Sequence, residues 1–131
     1  MNIVILIDKL QKEFESFTVH SELIAEITDI IGRSGNEKSF LSKLSNALKF
    51  LKRYGTLAHL QPTNQFEKLS GTTDLYSMHI QGKTFNVRIL YSFANDGTIL
   101  LHGFHEEENK RATDYTSAIP IAYERIKEME E

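Results

Sequence analysis

Two histidines and one arginine in residues 75–104, LYSMHIQGKTFNVRILYSFANDGTILLHGF, are the groups of this chain best placed to do chemistry. They are His79, Arg88 and His102. RNA is cut without a metal when its 2′-hydroxyl attacks the neighbouring phosphate. That reaction needs a base for the hydroxyl, a cation for the charge growing on phosphorus, and an acid for the leaving oxygen. Histidine titrates near neutral pH and serves in either proton role. Arginine presents a fixed fork of donors that matches phosphate oxygens. The chemistry such a set would suit is phosphodiester cleavage, provided the three side chains reach one place.

The elements that would bring them together are three strands joined by two glycine turns. Phe85, Val87, Ile89, Tyr91 and Phe93 alternate with Asn86, Arg88, Leu90 and Ser92, a period of two that marks a strand. The aromatic set should face the helices and form the core. Gly82-Lys83 suits a two-residue turn, which pairs Ile80 with Phe85, His79 with Asn86 and Ser77 with Arg88. Asn95-Asp96-Gly97 suits a three-residue loop with glycine in the left-handed position, pairing Leu90 with His102 and Arg88 with Phe104. Together the turns place His79, Arg88 and His102 on the face opposite the aromatic core. A two-residue turn at Asp96-Gly97 would flip His102 to the other side. The same residues allow a plainer reading. A strand arginine often pairs with a carboxylate, here Asp74 or Glu106, and Leu90 with Phe104 could make this face a second packing surface.

The rest of the chain supplies a scaffold. Residues 2–7 are rich in β-branched types and read as a first strand. Ser21 could cap a helix carrying Leu23, Ile24, Ile27, Ile30 and Ile31, stopped near Gly32. After the GRSGN loop, Phe40, Leu41, Leu44, Leu48, Leu51 and Tyr54 recur at helical spacing, and Gly55 ends the run. Residues 56–73 read as a long connection, and a last helix ends near Met129 with Pro120 in its first turn. The expectation is one domain over residues 1–131. Its class is α+β, with N-terminal helices packed on one face of a small antiparallel sheet and a short C-terminal helix.

Composition excludes several functions. Hydrophobic residues make up 40% and charged residues 25%, ordinary for a globular protein, and there is no cysteine for a disulfide, thiolate metal site or thiol nucleophile. The longest apolar run, residues 3–7, is far too short to span a membrane and lacks the flanks of a signal peptide. A cytoplasmic protein is expected. A net charge of −3 requires any nucleic-acid contact to use a local basic patch rather than bulk attraction. There is no HExxH, no phosphate-binding glycine loop followed by Lys-Ser/Thr and no GxSxG elbow. His102 and His105 should fall on opposite strand faces, a poor metal site. The expected site uses no metal and no cofactor.

The run built from Leu69, Gly71, Leu75, Tyr76, Ile80, Arg88–Tyr91, Phe93 and Ile99–Phe104 resembles the RelE/HigB-like toxin family, and most closely its phage-derived HigB branch. VRILY and LLHGF carry the resemblance most strongly, and FLSKLSNALKFLKRYG is similar to that branch's helix before the sheet. The resemblance implies a toxin of a type II toxin–antitoxin module that cleaves mRNA on the ribosome by 2′-hydroxyl attack and is neutralised by a cognate antitoxin. It implies that Arg88 contacts the scissile phosphate and places His102 at the family's motif histidine; the residues themselves then make His102 or His79 the proton carrier. Lys110 falls where the family has a basic residue before the last helix, with Arg111 beside it, and Lys83 joins them as a candidate substrate contact. Relatives of the ParE type bind a protein target such as gyrase, so a non-nucleolytic toxin or a degenerate relative of the fold is the alternative. The chain departs from the family pattern at Ser77 and His79, which stand for Glu and Arg. It departs again at Glu106 and Glu107, which stand for a basic pair, and at Ala112, which stands for Pro.

Overall fold

The N-terminal half is helical because three apolar stripes need one another. In the computed structural model, which describes residues 1–94, 97–106 and 115–130, α1 spans Ile3–Phe14, α2 Leu23–Ile31 and α3 Glu37–Tyr54. Residues 2–7, expected as a strand, instead begin α1. Asn2 caps it by accepting the Val4 N–H at 2.7 Å. Leu6, Leu10 and Phe14 then form a buried stripe at four-residue steps, while Val4 and Ile5 face outward. Packing of that stripe overrides the β preference of Ile and Val. The α2 helix starts after Glu22 with no side-chain cap from Ser21. Its entry is fixed by His20, whose Nδ1 accepts the Glu22 N–H at 3.1 Å. Gly55 stops α3 as expected, with φ of 51°.

The sheet has five strands in the order β1-β5-β4-β3-β2: β1 is Thr18–Val19, β2 Phe66–Lys68, β3 Tyr76–Gln81, β4 Asn86–Ala94 and β5 Gly97–His105. Among the described residues, only β1 runs parallel to its neighbour. The protein is an α+β fold, with α1–α3 on one sheet face and the closing helix α4, Ala118–Glu130, on the other. Pro120 lies in the first turn of α4. Residues 56–73 are not a featureless connection. They hold a 3-10 turn over Gly55–Leu60 and the edge strand β2, which adds Phe66 to the core and presents Glu67 to the opposite face.

Both turns differ from expectation, yet the face assignment survives. Gly82 and Phe85 close the β3–β4 hairpin, with Gly82 N–H donating to Phe85 O at 2.9 Å, so the bend lies at Lys83 and Thr84 rather than Gly82-Lys83. His79 therefore pairs with Arg88, and Ser77 with Leu90. The slip is by two residues, so each side chain keeps its face. In the second hairpin Ala94 pairs with Gly97, and a shift between Leu90 and Tyr91 restores the expected Leu90–His102 and Arg88–Phe104 pairs. Asn95 and Asp96 lie outside the described residues. The bulge at Leu101 keeps His102 on the face opposite the aromatic core.

The two faces carry separate apolar layers. Between the sheet and α1–α3 lie Met78, Ile80, Val87, Ile89, Tyr91 and their helical partners. On the other side Leu69, Leu75, Leu90 and Leu101 pack against Ala118 and Ala122 of α4, so that face is a second packing surface over part of its area. Gly103 marks the closest approach of α2 to β5. A Cβ there would stand 3.2 Å from both Ile27 and Leu23. Gly103→Val is expected to lower stability by about 1–3 kcal/mol, read as a shift in denaturation midpoint at constant slope. An unchanged midpoint would mean that α2 yields at no cost.

Candidate functional site

The sheet face opposite the main core is divided between an apolar half under α4 and a polar half centred on Arg88. Arg88 is 7% exposed, and its guanidinium meets carboxylates on two sides. Glu106 Oε2 accepts from Nε at 3.1 Å and from Nη2 at 2.9 Å. Glu67 Oε1 accepts from Nη1 at 3.4 Å. The Tyr115 hydroxyl lies 3.4 Å from the same Nη1, donates to Glu67 Oε1, and stands 3.0 Å from Ser77 Oγ. His79, the cross-strand neighbour of Arg88, turns Nε2 toward Glu67 Oε1 at 3.7 Å. That nitrogen is buried and has no hydrogen-bond partner among the described residues.

The electrostatics follow from burial. Desolvation, with the nearby Arg88 charge, lowers the His79 pKa to about 4 against the opposing pull of Glu67 and Glu106. The ring is therefore neutral at pH 7 and a weak base. Desolvation, then the hydrogen bond to Glu67, raises the Tyr115 pKa to about 12, which keeps the phenol protonated as a donor. The cluster thus combines a cation, two carboxylates, a neutral imidazole and a neutral phenol. Those are the parts that general acid–base cleavage of a phosphodiester calls for.

His102 belongs to a different network. Its Nδ1 lies 2.8 Å from Glu26 Oε2, and since a carboxylate only accepts, Nδ1 carries the hydrogen. Glu26 reaches round the sheet edge from α2 and also binds Arg125 of α4 and the Gly103 N–H. Phe104 stands between the two networks, its ring stacked on His102 at 5.5 Å and edge-on to Tyr115 at 6.0 Å. The three sequence candidates share one face as expected, but only His79 and Arg88 are brought together. Lys83 sits at the β3–β4 bend, beside a shallow groove that His105 and Glu106 also line. Lys110 and Arg111 lie outside the described residues.

Comparison with protein families, with curated proteins and with solved structures finds no match to this chain. Among the described residues, no helix is long and apolar enough to cross a membrane. Two members of the cluster were not anticipated from sequence. Glu67 had a usable signal, since Phe66 and Leu69 enter opposite cores on either side of it, a short strand alternation inside the supposed connection. Tyr115 had none. It precedes α4 and reaches the cluster only through long-range packing.

Proposed function

We propose that this protein is the toxin of a type II toxin–antitoxin module, an endoribonuclease that cuts mRNA on the ribosome without a metal. The observation that carries the reading is the Arg88 cluster, where Glu67, His79 and Tyr115 surround one guanidinium on a sheet face. The resemblance of VRILY and LLHGF to the RelE/HigB-like family supports it, as does the α+β architecture. Arg88 offers its fork to the phosphate as charge grows there. Glu67 or the neutral His79 takes the 2′-hydroxyl proton while the 2′-oxygen bonds to phosphorus. The bond to the 5′-oxygen breaks, and Tyr115 donates to that leaving oxygen. The Tyr115–Glu67 hydrogen bond has to open as substrate enters. A cognate antitoxin would hold the toxin inactive in the cytoplasm, and the basic side chains of Lys43 and Lys83, which share one groove, are candidates for the RNA backbone.

One observation favours a second reading: both carboxylates on Arg88 neutralise the charge that phosphate would need. That suits a non-nucleolytic toxin with a protein target such as gyrase. Induced expression in a bacterium, with 5′ ends of cellular mRNAs mapped by primer extension, separates the two. Wild type should give codon-phased new ends, and Glu67→Gln should remove them at little cost to folding, because Glu67 is half exposed. Growth arrest without new ends would shift the assignment to a protein target. Neither arrest nor new ends would leave the fold without the family's chemistry.

A further inference from the structure

Asn86 and Arg88, two apart on β4 and on one face, aim three N–H donors at a single oxygen. Glu106 Oε2 receives Asn86 Nδ2 at 2.6 Å, Arg88 Nε at 3.1 Å and Arg88 Nη2 at 2.9 Å. The Arg88 and Glu106 side chains are only 9% and 11% exposed, so this is a largely desolvated cradle for one anionic oxygen. Its walls are fixed by the ladder of a central strand. The present occupant is a side chain of this chain rather than a ligand. Glu106 follows the end of β5, and its N–H donates to Asn86 O at 2.8 Å beyond the regular pairing. Glu67 takes Nη1, which leaves Nε and Nη2 directed at the cradle.

The geometry points to an anion site made by Asn86 and Arg88 whose ligand is a phosphate oxygen of the RNA backbone, with Glu106 as a built-in competitor. Free protein is then closed on itself, and substrate binding requires the Glu106 side chain to leave. The identity of the ligand rests on the nuclease reading, whereas the site itself rests on the converging donors. A carboxylate tethered beside the site acts at an effective concentration on the order of millimolar or above, so it lowers the apparent affinity for any external anion. Removing it leaves a buried guanidinium without its main counter-charge, which raises affinity for an anion from solution.

The test is titration of wild type, Glu106→Gln and Glu106→Ala with inorganic phosphate by calorimetry, beside cleavage of a short RNA. Glu106→Ala is expected to bind phosphate at least about tenfold more tightly than wild type, and Glu106→Gln by a smaller factor. Adding Asn86→Ala to Glu106→Ala should reverse much of the gain. Circular dichroism establishes that each variant is folded, and Glu106→Gln, nearly isosteric, guards against collapse of the alanine variant. Folded Glu106 variants that bind phosphate no better than wild type would overturn the site. Tight phosphate binding with no RNA cleavage by any variant would uphold the site while removing the nuclease reading. Cleavage by wild type that neither Glu106 variant accelerates, with phosphate binding unchanged, would overturn the competitor and leave the nuclease reading standing.

Discussion

Replacing Arg88 with alanine is expected to abolish RNA cleavage and to weaken the fold at the same time. In the proposed reaction the lost cation would stabilise the charge developing on phosphorus, a contribution of about 10²–10³ in rate. On a solvated strand face the stability cost would stay within about 1 kcal/mol, the expectation from sequence. Arg88 is instead 7% exposed and holds Glu106, whose own side chain is 11% exposed. Alanine removes both guanidinium hydrogen bonds that this carboxylate accepts, and the loss should reach about 3 kcal/mol. Urea denaturation measures the second effect, and cleavage of a defined RNA in fully folded protein measures the first. Pairing Arg88→Met with Glu106→Gln removes both charges, so stability should largely return while cleavage stays absent. Wild-type cleavage by any folded Arg88 variant would make the arginine a structural ion-pair residue and end its catalytic assignment.

What the sequence disclosed and what it hid follow one rule. Patterns that repeat within an element were legible: the stripes of α2 and α3, the alternation of β4, and the glycine stops. Register on one face also survived two wrong turns, because the β3–β4 slip was by two residues and the Leu101 bulge offset the shorter β4–β5 loop. Residues 2–7 failed because Ile and Val preference is weak against the burial of Leu6, Leu10 and Phe14. The candidate site was only half visible for a related reason. Arg88 and His79 lie on adjacent strands, where pairing fixes the neighbours. Glu67, Tyr115, Glu26 and Arg125 come from an edge strand, a segment before a helix and two helices, and no local spacing announces that they converge.

That convergence has a measurable consequence at Glu26, where the largest loss of stability is expected. One carboxylate serves both sides of the sheet. Oε1 accepts from Arg125 Nη1 at 2.7 Å and the Gly103 N–H at 3.1 Å, and Oε2 from Arg125 Nη2 at 2.9 Å and His102 Nδ1 at 2.8 Å. His102 and Arg125 side chains are 9% and 13% exposed, so Glu26→Ala leaves the His102 ring N–H without its acceptor and a buried guanidinium without its counter-charge, held by the Leu101 carbonyl at 2.9 Å. A loss of about 3–5 kcal/mol is expected, a large share of a typical domain's total. Since α4 is tied to α2 through this carboxylate and Tyr115 precedes α4, the variant should also draw Tyr115 from Glu67 and slow cleavage. Acid should act through the same links. Burial opposes ionisation of Glu26, but the bonds from His102, Arg125 and Gly103 outweigh it and lower its pKa from 4.5 to about 2. A carboxyl with a depressed folded pKa contributes stability above its unfolded value and loses it as pH falls through the folded one. The His79 shift, from 6.5 to about 4, acts in the same direction at higher pH, because the unfolded chain takes up that proton first. Stability should therefore begin to fall below about pH 6.5 as His79 resists protonation, and fall further between about pH 4.5 and 2 as Glu26 is neutralised. In Glu26→Gln the upper phase should persist and much of the lower one vanish. Melting curves for that variant that track wild type through the lower window would show that this carboxylate does not hold α4 to the sheet.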